Sequence, residues 1–194
     1  DHEFLIRHPK PSDDFALAGE DALLRGKVRY RARTFPTNLQ AAFPAVGDVS
    51  TVVIGQAENT DSKTSTRWVI TLLHEHFHQL QESQPGYGTD VAALGLARGD
   101  RTGMWMLNYA FPYDNPDVKA QFAALSKALA QALRARGRPD FREKTAAYLA
   151  AREKFRGLLQ ADDERYFAFQ VWKEGIARHT EYRIAELAAT EYEP

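Results

Sequence analysis

Cysteine is absent from the 194 residues of this chain. Its absence excludes disulfide bonds, thiol nucleophiles and cysteine-ligated zinc sites, so histidine and carboxylate side chains are the strong metal ligands that remain. Long apolar runs are also missing, and none approaches the roughly 18 residues that a membrane-spanning helix requires. We therefore expect no membrane span.

An excess of either charge is lacking as well. The chain has 25 basic and 26 acidic residues, which gives a net charge of -1. This balance does not point to nucleic acid or an anionic membrane as a partner, and it is compatible with a peptide or protein substrate. Composition predicts no particular oligomeric state.

The chain starts at Asp1 without an initiator methionine, and no basic segment followed by a short apolar stretch opens it. A cleaved export signal is one explanation among several. It would place the protein in the periplasm or outside the cell.

Two strands are predicted in the first third of the chain, where several prolines indicate short elements and loops. Val28, Tyr30 and Ala32 alternate with basic residues, which predicts a strand with a buried apolar face and a solvated basic face. Residues 49–56 are rich in β-branched side chains and predict a second strand.

Helices are predicted along most of the remaining chain. From residue 65 apolar side chains surround most of a helix, which predicts a buried helix that ends near residue 85. Asn115 and Pro116 form a typical helix start, and the spacing after them predicts an amphipathic helix as far as residue 137. Two more helices are expected over residues 139–160 and from residue 162 onward.

The first of these helices contains the motif H-E-x-x-H at His74, Glu75 and His78. Residues four apart share one helix face, so both imidazoles can bind the same ion while Glu75 projects beside them toward a bound water. The pattern favours a catalytic zinc site over a pair of surface or packing histidines. His76 points about 200° away around the helix, and we expect it in the core or behind the ligands.

Two histidines leave a catalytic zinc ion one protein ligand short. The final predicted helix offers Glu174 beside Gly175 and Ala177, small residues that let another helix approach. We therefore predict Glu174 as the third ligand.

These two segments together resemble the gluzincin metallopeptidases, the group that includes thermolysin and the alanyl-aminopeptidase type. In the aminopeptidase branch the second segment reads N-E-G-x-A-x-Y-x-E, and this chain keeps E-G-x-A-x-x-x-E from Glu174 to Glu181, with Lys173 and His179 in place of the asparagine and the tyrosine. The 95 residues between His78 and Glu174 form a longer spacer than that branch has. The resemblance covers about 30 residues and implies a zincin-like core, a Zn²⁺ cofactor and peptidase activity.

The predicted fold is α+β, predominantly helical, with a zincin-like core in one domain over residues 1–194. Residues 1–61 would form a small N-terminal sheet and loops, and residues 62–84 the active-site helix. Residues 116–192 would form the helical part that carries the third ligand.

Two residues near Glu174 have open roles. Glu181 lies two helical turns further on the same face and is either a partner for the second nitrogen of a zinc-bound histidine or a solvated carboxylate. Arg178 lies four residues after Glu174, where an ion pair between the two would compete with metal binding.

A zinc hydrolase also needs a donor for the oxyanion of its reaction. His179 is our first candidate as a catalytic residue, because it stands where the resembled motif has tyrosine. The other candidates are Tyr87, Tyr109, Tyr113 and Tyr182. Residues 55–59 share G-x-x-E-N with an amine-binding segment of those aminopeptidases, but turn-forming residues explain this segment as an ordinary strand exit.

The leading hypothesis is a zinc-dependent peptidase with Glu75 as general base. One alternative is a zinc-binding protein without turnover, and the other is a helical interaction module whose histidines are incidental. The presence of Glu75 favours catalysis, because a structural zinc site needs no carboxylate beside an open coordination position.

Overall fold

The computed structural model describes residues 1–100 and 103–191. About 52% of the chain is helical and two small antiparallel sheets are present, which confirms the α+β class. Residues 101–102 and 192–194, and with them the end of the predicted helical part 116–192, lie outside the described residues. The elements in chain order are β1 His2–Ile6, β2 Ala16–Asp21, β3 Gly26–Ala32, β4 Gln40–Val46, β5 Val49–Ile54, a 3-10 turn Ala57–Asn59, α1 Ser65–Glu82, α2 Tyr87–Ala93, α3 Trp105–Asn108, α4 Pro116–Arg134, α5 Phe141–Arg156 and α6 Ala161–Glu191.

The chain divides into two compact units. The first consists of residues 1–91 and the chain from Trp172 onward, and the second of Ala92–Val171. Helix α6 therefore contributes its first part to the second unit and its remainder to the first. The prediction of one domain over residues 1–194 stays a prediction beside this division.

The first unit contains both sheets and helix α1. Strands β1, β3 and β2 form one antiparallel sheet in that order, and β4 pairs with β5 in a hairpin. The hairpin turns through Gly47, whose φ of 60° is costly for residues with a side chain. Helix α1 packs against β4 and β5, which fixes the helix that carries H-E-x-x-H over the hairpin.

From Arg29 to Ala32 the two faces of β3 are the reverse of those predicted. Arg31 is largely buried: its Nε lies 2.6 Å from Glu3, its Nη1 lies 2.7 Å from Asp14, and its guanidinium lies 4.3 Å from the ring centroid of Phe15. Tyr30 on the opposite face is 37% exposed. The carboxylates neutralise the buried guanidinium, so the basic face turns inward.

Helix α1 is not buried all round, contrary to the prediction. Its apolar Val69 and Leu80 are about half exposed, at 46% and 54%. Its buried residues are polar instead: Glu75, His78 and Gln81. Buried polar side chains require hydrogen-bond partners, so this face of α1 must lie against other polar groups.

The second unit is helical, and its predicted helix starts are largely confirmed. The side chain of Asn115 accepts hydrogen bonds from the backbone N–H groups of Asp117 and Val118 at the start of α4. Helices α4 and α5 pack together around a core that includes Leu125 and Phe155. Within the part of the chain that the structure describes, no helix is long and apolar enough to span a bilayer.

Candidate metal centre

The three predicted ligands lie together in the first unit. His74 and His78 extend from one face of α1, and Glu174 extends from α6. Among residues 1–100 and 103–191 these three form the group of side chains that could hold a metal ion, with one ligand atom of each within 4.8 Å of the others. Residues distant in sequence therefore meet where the motif predicted.

The distances between the ligand atoms fit a tetrahedral zinc ion. Nε2 of His74 lies 3.0 Å from Nε2 of His78, and Oε2 of Glu174 lies 3.3 Å and 3.4 Å from these nitrogens. Two ligands at zinc bond lengths of about 2.0–2.1 Å and a tetrahedral angle are about 3.3–3.4 Å apart. The two distances from Glu174 match this spacing, and the 3.0 Å between the two nitrogens is about 0.3 Å shorter than it.

Glu181 fixes the orientation of His74. Its carboxylate is 8% exposed, and Oε1 lies 2.5 Å from Nδ1 of His74. Because a carboxylate accepts, Nδ1 carries the proton and the lone pair of the neutral ring is on Nε2. Of the two roles open for Glu181, the structure gives it the buried place behind His74.

Gln81 occupies the corresponding place behind His78. Its Oε1 lies 2.8 Å from Nδ1 of His78, and its Nε2 donates to the backbone carbonyl of Lys173 at 3.2 Å. Sequence reasoning missed this residue. Its position three residues after His78, on the same helix face, was the available signal.

Both imidazoles therefore direct Nε2 toward each other. Two nitrogen lone pairs at 3.0 Å repel unless a proton or a metal cation lies between them. When Nε2 of His74 carries a proton it donates to Glu174, and this hydrogen bond raises the pKa of His74, although burial opposes the rise. The region between the two rings thus favours positive charge.

Glu174 is held in its ionised form. Burial alone would raise the pKa of Glu174, but the hydrogen bonds with His74 and His78 outweigh it and hold that pKa well below its usual range. A carboxylate that stays ionised is available as a metal ligand at any physiological pH.

Arg178 pairs with Glu181 and not, as one prediction had it, with Glu174. Its Nη1 lies 2.8 Å from Oε2 of Glu181, the oxygen that does not contact His74. The predicted competition between this arginine and the metal for Glu174 is therefore wrong.

No protein-family model, curated protein or solved structure matches this chain. The resemblance to the gluzincins accordingly stays a prediction.

Glu75 is buried beside the two histidines, at 9% exposure. Burial raises the pKa of its carboxyl above the usual value, while the attraction of His78 and His74 and a hydrogen bond from the backbone of Ala42 in β4 oppose the rise. A carboxyl group tuned upward in this way is typical of general bases in enzymes.

The predicted oxyanion donors differ in their surroundings. His179 and Tyr182 are exposed on α6, and the catalytic role of His179 stays a prediction. Tyr109 and Tyr113 belong to the second unit. Tyr87 differs from these, because its hydroxyl oxygen is buried without a hydrogen-bond partner among the described residues.

The hydroxyl of Tyr87 also lies within the electrostatic influence of Glu174. Burial, the charge of Glu82 and the charge of Glu174 raise the pKa of Tyr87 to about 12. The group is therefore a protonated donor throughout the physiological pH range.

Two further sequence predictions are decided by the structure. His76 is exposed on α1, so the expectation that it lies in the core or behind the ligands is wrong. Gly55 leaves strand β5 where an added Cβ atom would lie 1.7 Å from the carbonyl oxygen of Thr37, and Glu58 is exposed. The segment is therefore a strand exit in which close backbone contact requires glycine.

Proposed function

We propose that the protein is a zinc-dependent hydrolase, a peptidase that cleaves amide bonds on a zincin-like core. His74, His78 and Glu174 hold the metal and Glu75 is the general base. The observation that carries the proposal is the pair of Nε2 atoms 3.0 Å apart, both aimed by buried partners toward the oxygen of Glu174. This arrangement supports a divalent cation as the group between them.

A zinc ion bound there would lower the pKa of water and polarise the substrate carbonyl. Glu75 takes the proton of the attacking water on its carboxylate and passes it to the leaving amine. Its raised pKa suits both halves of this transfer, because a weakly acidic carboxyl accepts a proton readily and still releases it near neutral pH.

Tyr87 is our candidate for the donor to the developing oxyanion. Its hydroxyl has no hydrogen-bond partner among residues 1–100 and 103–191, so a hydrogen bond to substrate costs none of the bonds described there. Preorganised donors of this kind stabilise the charge that develops during acyl transfer. The proposal replaces His179 with Tyr87 in this role.

The exposure of the ligands supports an open site. Glu174 has a side chain 51% exposed, whereas that of His78 is 7% exposed. Catalytic zinc sites keep a coordination position accessible, whereas structural sites are closed by four protein ligands. Three ligands with one exposed side therefore favour catalysis over a structural zinc.

Metal analysis of wild type and Glu75→Gln, followed by a peptide-library screen of both, tests the proposal. We expect one zinc per chain in both proteins and cleavage by wild type only. Cleavage by Glu75→Gln would remove Glu75 as the base. Zinc in both without any turnover would favour the non-catalytic zinc protein, and absence of zinc would favour the interaction module.

A further inference from the structure

Gln81 connects the two helices that carry the proposed ligands. It is 4% exposed, and both ends of its side-chain amide are in use. The oxygen meets Nδ1 of His78, and the nitrogen donates to the carbonyl of Lys173, the residue immediately before Glu174. One side chain therefore contacts a ligand on α1 and the backbone beside a ligand on α6.

The hydrogen-bonding groups around Gln81 determine which end of its side-chain amide is the NH₂ group and which is the oxygen. The backbone carbonyl of Lys173 can only accept a hydrogen bond, so the NH₂ end of Gln81 must face it. The amide oxygen then faces His78, and Nδ1 of His78 must be the protonated nitrogen. The lone pair of His78 is thereby placed on Nε2, the atom that faces His74.

We propose that Gln81 is a positioning residue of the metal site: it fixes the tautomer of His78 and the register between α1 and Glu174. The inference rests on the proposed function, because it assumes that His78 binds a metal through Nε2. Outer partners of this kind typically change metal affinity by about 10- to 100-fold when they are removed.

The amide gives the two histidines unlike partners. His74 is backed by a carboxylate, Glu181, whereas His78 is backed by a neutral group. Close to the carboxylates of Glu75 and Glu174, a neutral partner orients the ring without adding a negative charge to the site. A glutamate at position 81 would add that charge. It would also place a carboxylate oxygen, which can only accept, against the carbonyl oxygen of Lys173.

Gln79 supplies a matched control on the same helix. Its side chain is partly buried, and its Nε2 donates to the backbone carbonyl of Ser50 at 2.7 Å, so it too connects α1 to another element. It contacts β5 rather than a ligand. Gln79→Met and Gln81→Met therefore each remove a hydrogen bond from a glutamine side chain of α1 to a backbone carbonyl. Only Gln81→Met also removes the hydrogen bond to His78.

The experiment measures zinc affinity by chelator competition and the tautomer of His78 by ¹⁵N NMR of the imidazole in the zinc-free protein. In Gln81→Met we expect zinc to bind about 10- to 100-fold more weakly and His78 to lose its Nδ1–H preference. Gln79→Met should bind within threefold of wild type, as expected for a residue outside the site. Gln81→Glu keeps an acceptor for His78 and should retain the Nδ1–H tautomer, which provides a test if Gln81→Met does not fold.

The outcomes separate the inference from the proposed function. Wild type that binds no zinc would end the proposed function, whatever the tautomer of His78. Wild type that binds zinc, with Gln81→Met equal to Gln79→Met in affinity, would overturn the inference alone. An unchanged His78 tautomer in Gln81→Met, or a lost one in Gln81→Glu, would overturn it as well.

Discussion

Replacing Glu174 by alanine tests the third ligand with little risk to the fold. The side chain is 51% exposed, and its contacts are to His74 and His78. Zinc binds structural sites with about 10–16 kcal/mol over four ligands, so one ligand contributes about 2.5–4 kcal/mol, roughly a 100- to 1000-fold change in dissociation constant. We expect Glu174→Ala to weaken zinc binding by that factor.

The assay is chelator competition near neutral pH, together with thermal unfolding with and without zinc. With zinc far above both dissociation constants, a 100-fold loss of affinity removes about 2.7 kcal/mol of zinc-dependent stabilisation. Glu186→Ala is the matched control, because Glu186 lies on the same helix in a surface ion pair with Arg183, and such pairs contribute about 0.2–1 kcal/mol. Zinc affinity of Glu174→Ala within threefold of wild type would refute the reasoning, as would an equal loss in Glu186→Ala.

Four other substitutions have defined outcomes. Gly55→Ala should destabilise the protein by about 1–3 kcal/mol or more, because its Cβ would lie 1.7 Å from the oxygen of Thr37. Gly88→Ala in α2, where an added Cβ meets nothing within 4 Å among the described residues, should stabilise by about 0.4–1 kcal/mol, and equal melting temperatures for the two variants would contradict this account. Tyr87→Phe should keep zinc affinity and thermal stability, since its hydroxyl has no partner to lose in the described part of the chain, but should lower kcat by roughly 100-fold; an unchanged kcat would exclude it as oxyanion donor. Glu75→Gln should stabilise the zinc-free protein at neutral pH. Burial raises the pKa of Glu75 in the folded protein above the usual value of 4.5, so the wild type loses stability as the pH rises through the pKa of the folded state. That advantage should vanish below pH 4.5, and a pH-independent difference in urea midpoints would contradict the sign.

The part of the site carried by α1 could be predicted because a helix places residues four apart on one face. Glu174 could be predicted from the small residues beside it and from the short frame that resembles the gluzincins, but no periodicity relates it to His78 across 95 intervening residues. Gln81 could not be singled out, because its role depends on a hydrogen bond to the backbone carbonyl of Lys173, a residue distant in sequence that lies next to Gln81 only in the folded chain. A glutamine on a helix is otherwise an ordinary surface residue.

The errors in the sequence prediction have a similar origin. Alternation along β3 identifies a strand but not which face is inside, and the ion pairs of Arg31 with Glu3 and Asp14 reverse the usual choice. Strand β4 was missed because Gln40–Val46 lacks alternation and contains Pro44, a residue that argues against a strand. The catalytic role of His179, which was selected by its place in a motif, stays a prediction, and its exposure could not be read from the sequence because it depends on how α6 packs.

The most direct test of the central claim is anomalous diffraction from crystals of the zinc-soaked protein, recorded on both sides of the zinc absorption edge. We predict one zinc peak per chain, bonded to Nε2 of His74, Nε2 of His78 and a carboxylate oxygen of Glu174 at about 2.0–2.2 Å. A zinc peak elsewhere, or no peak at these three atoms, would contradict the account.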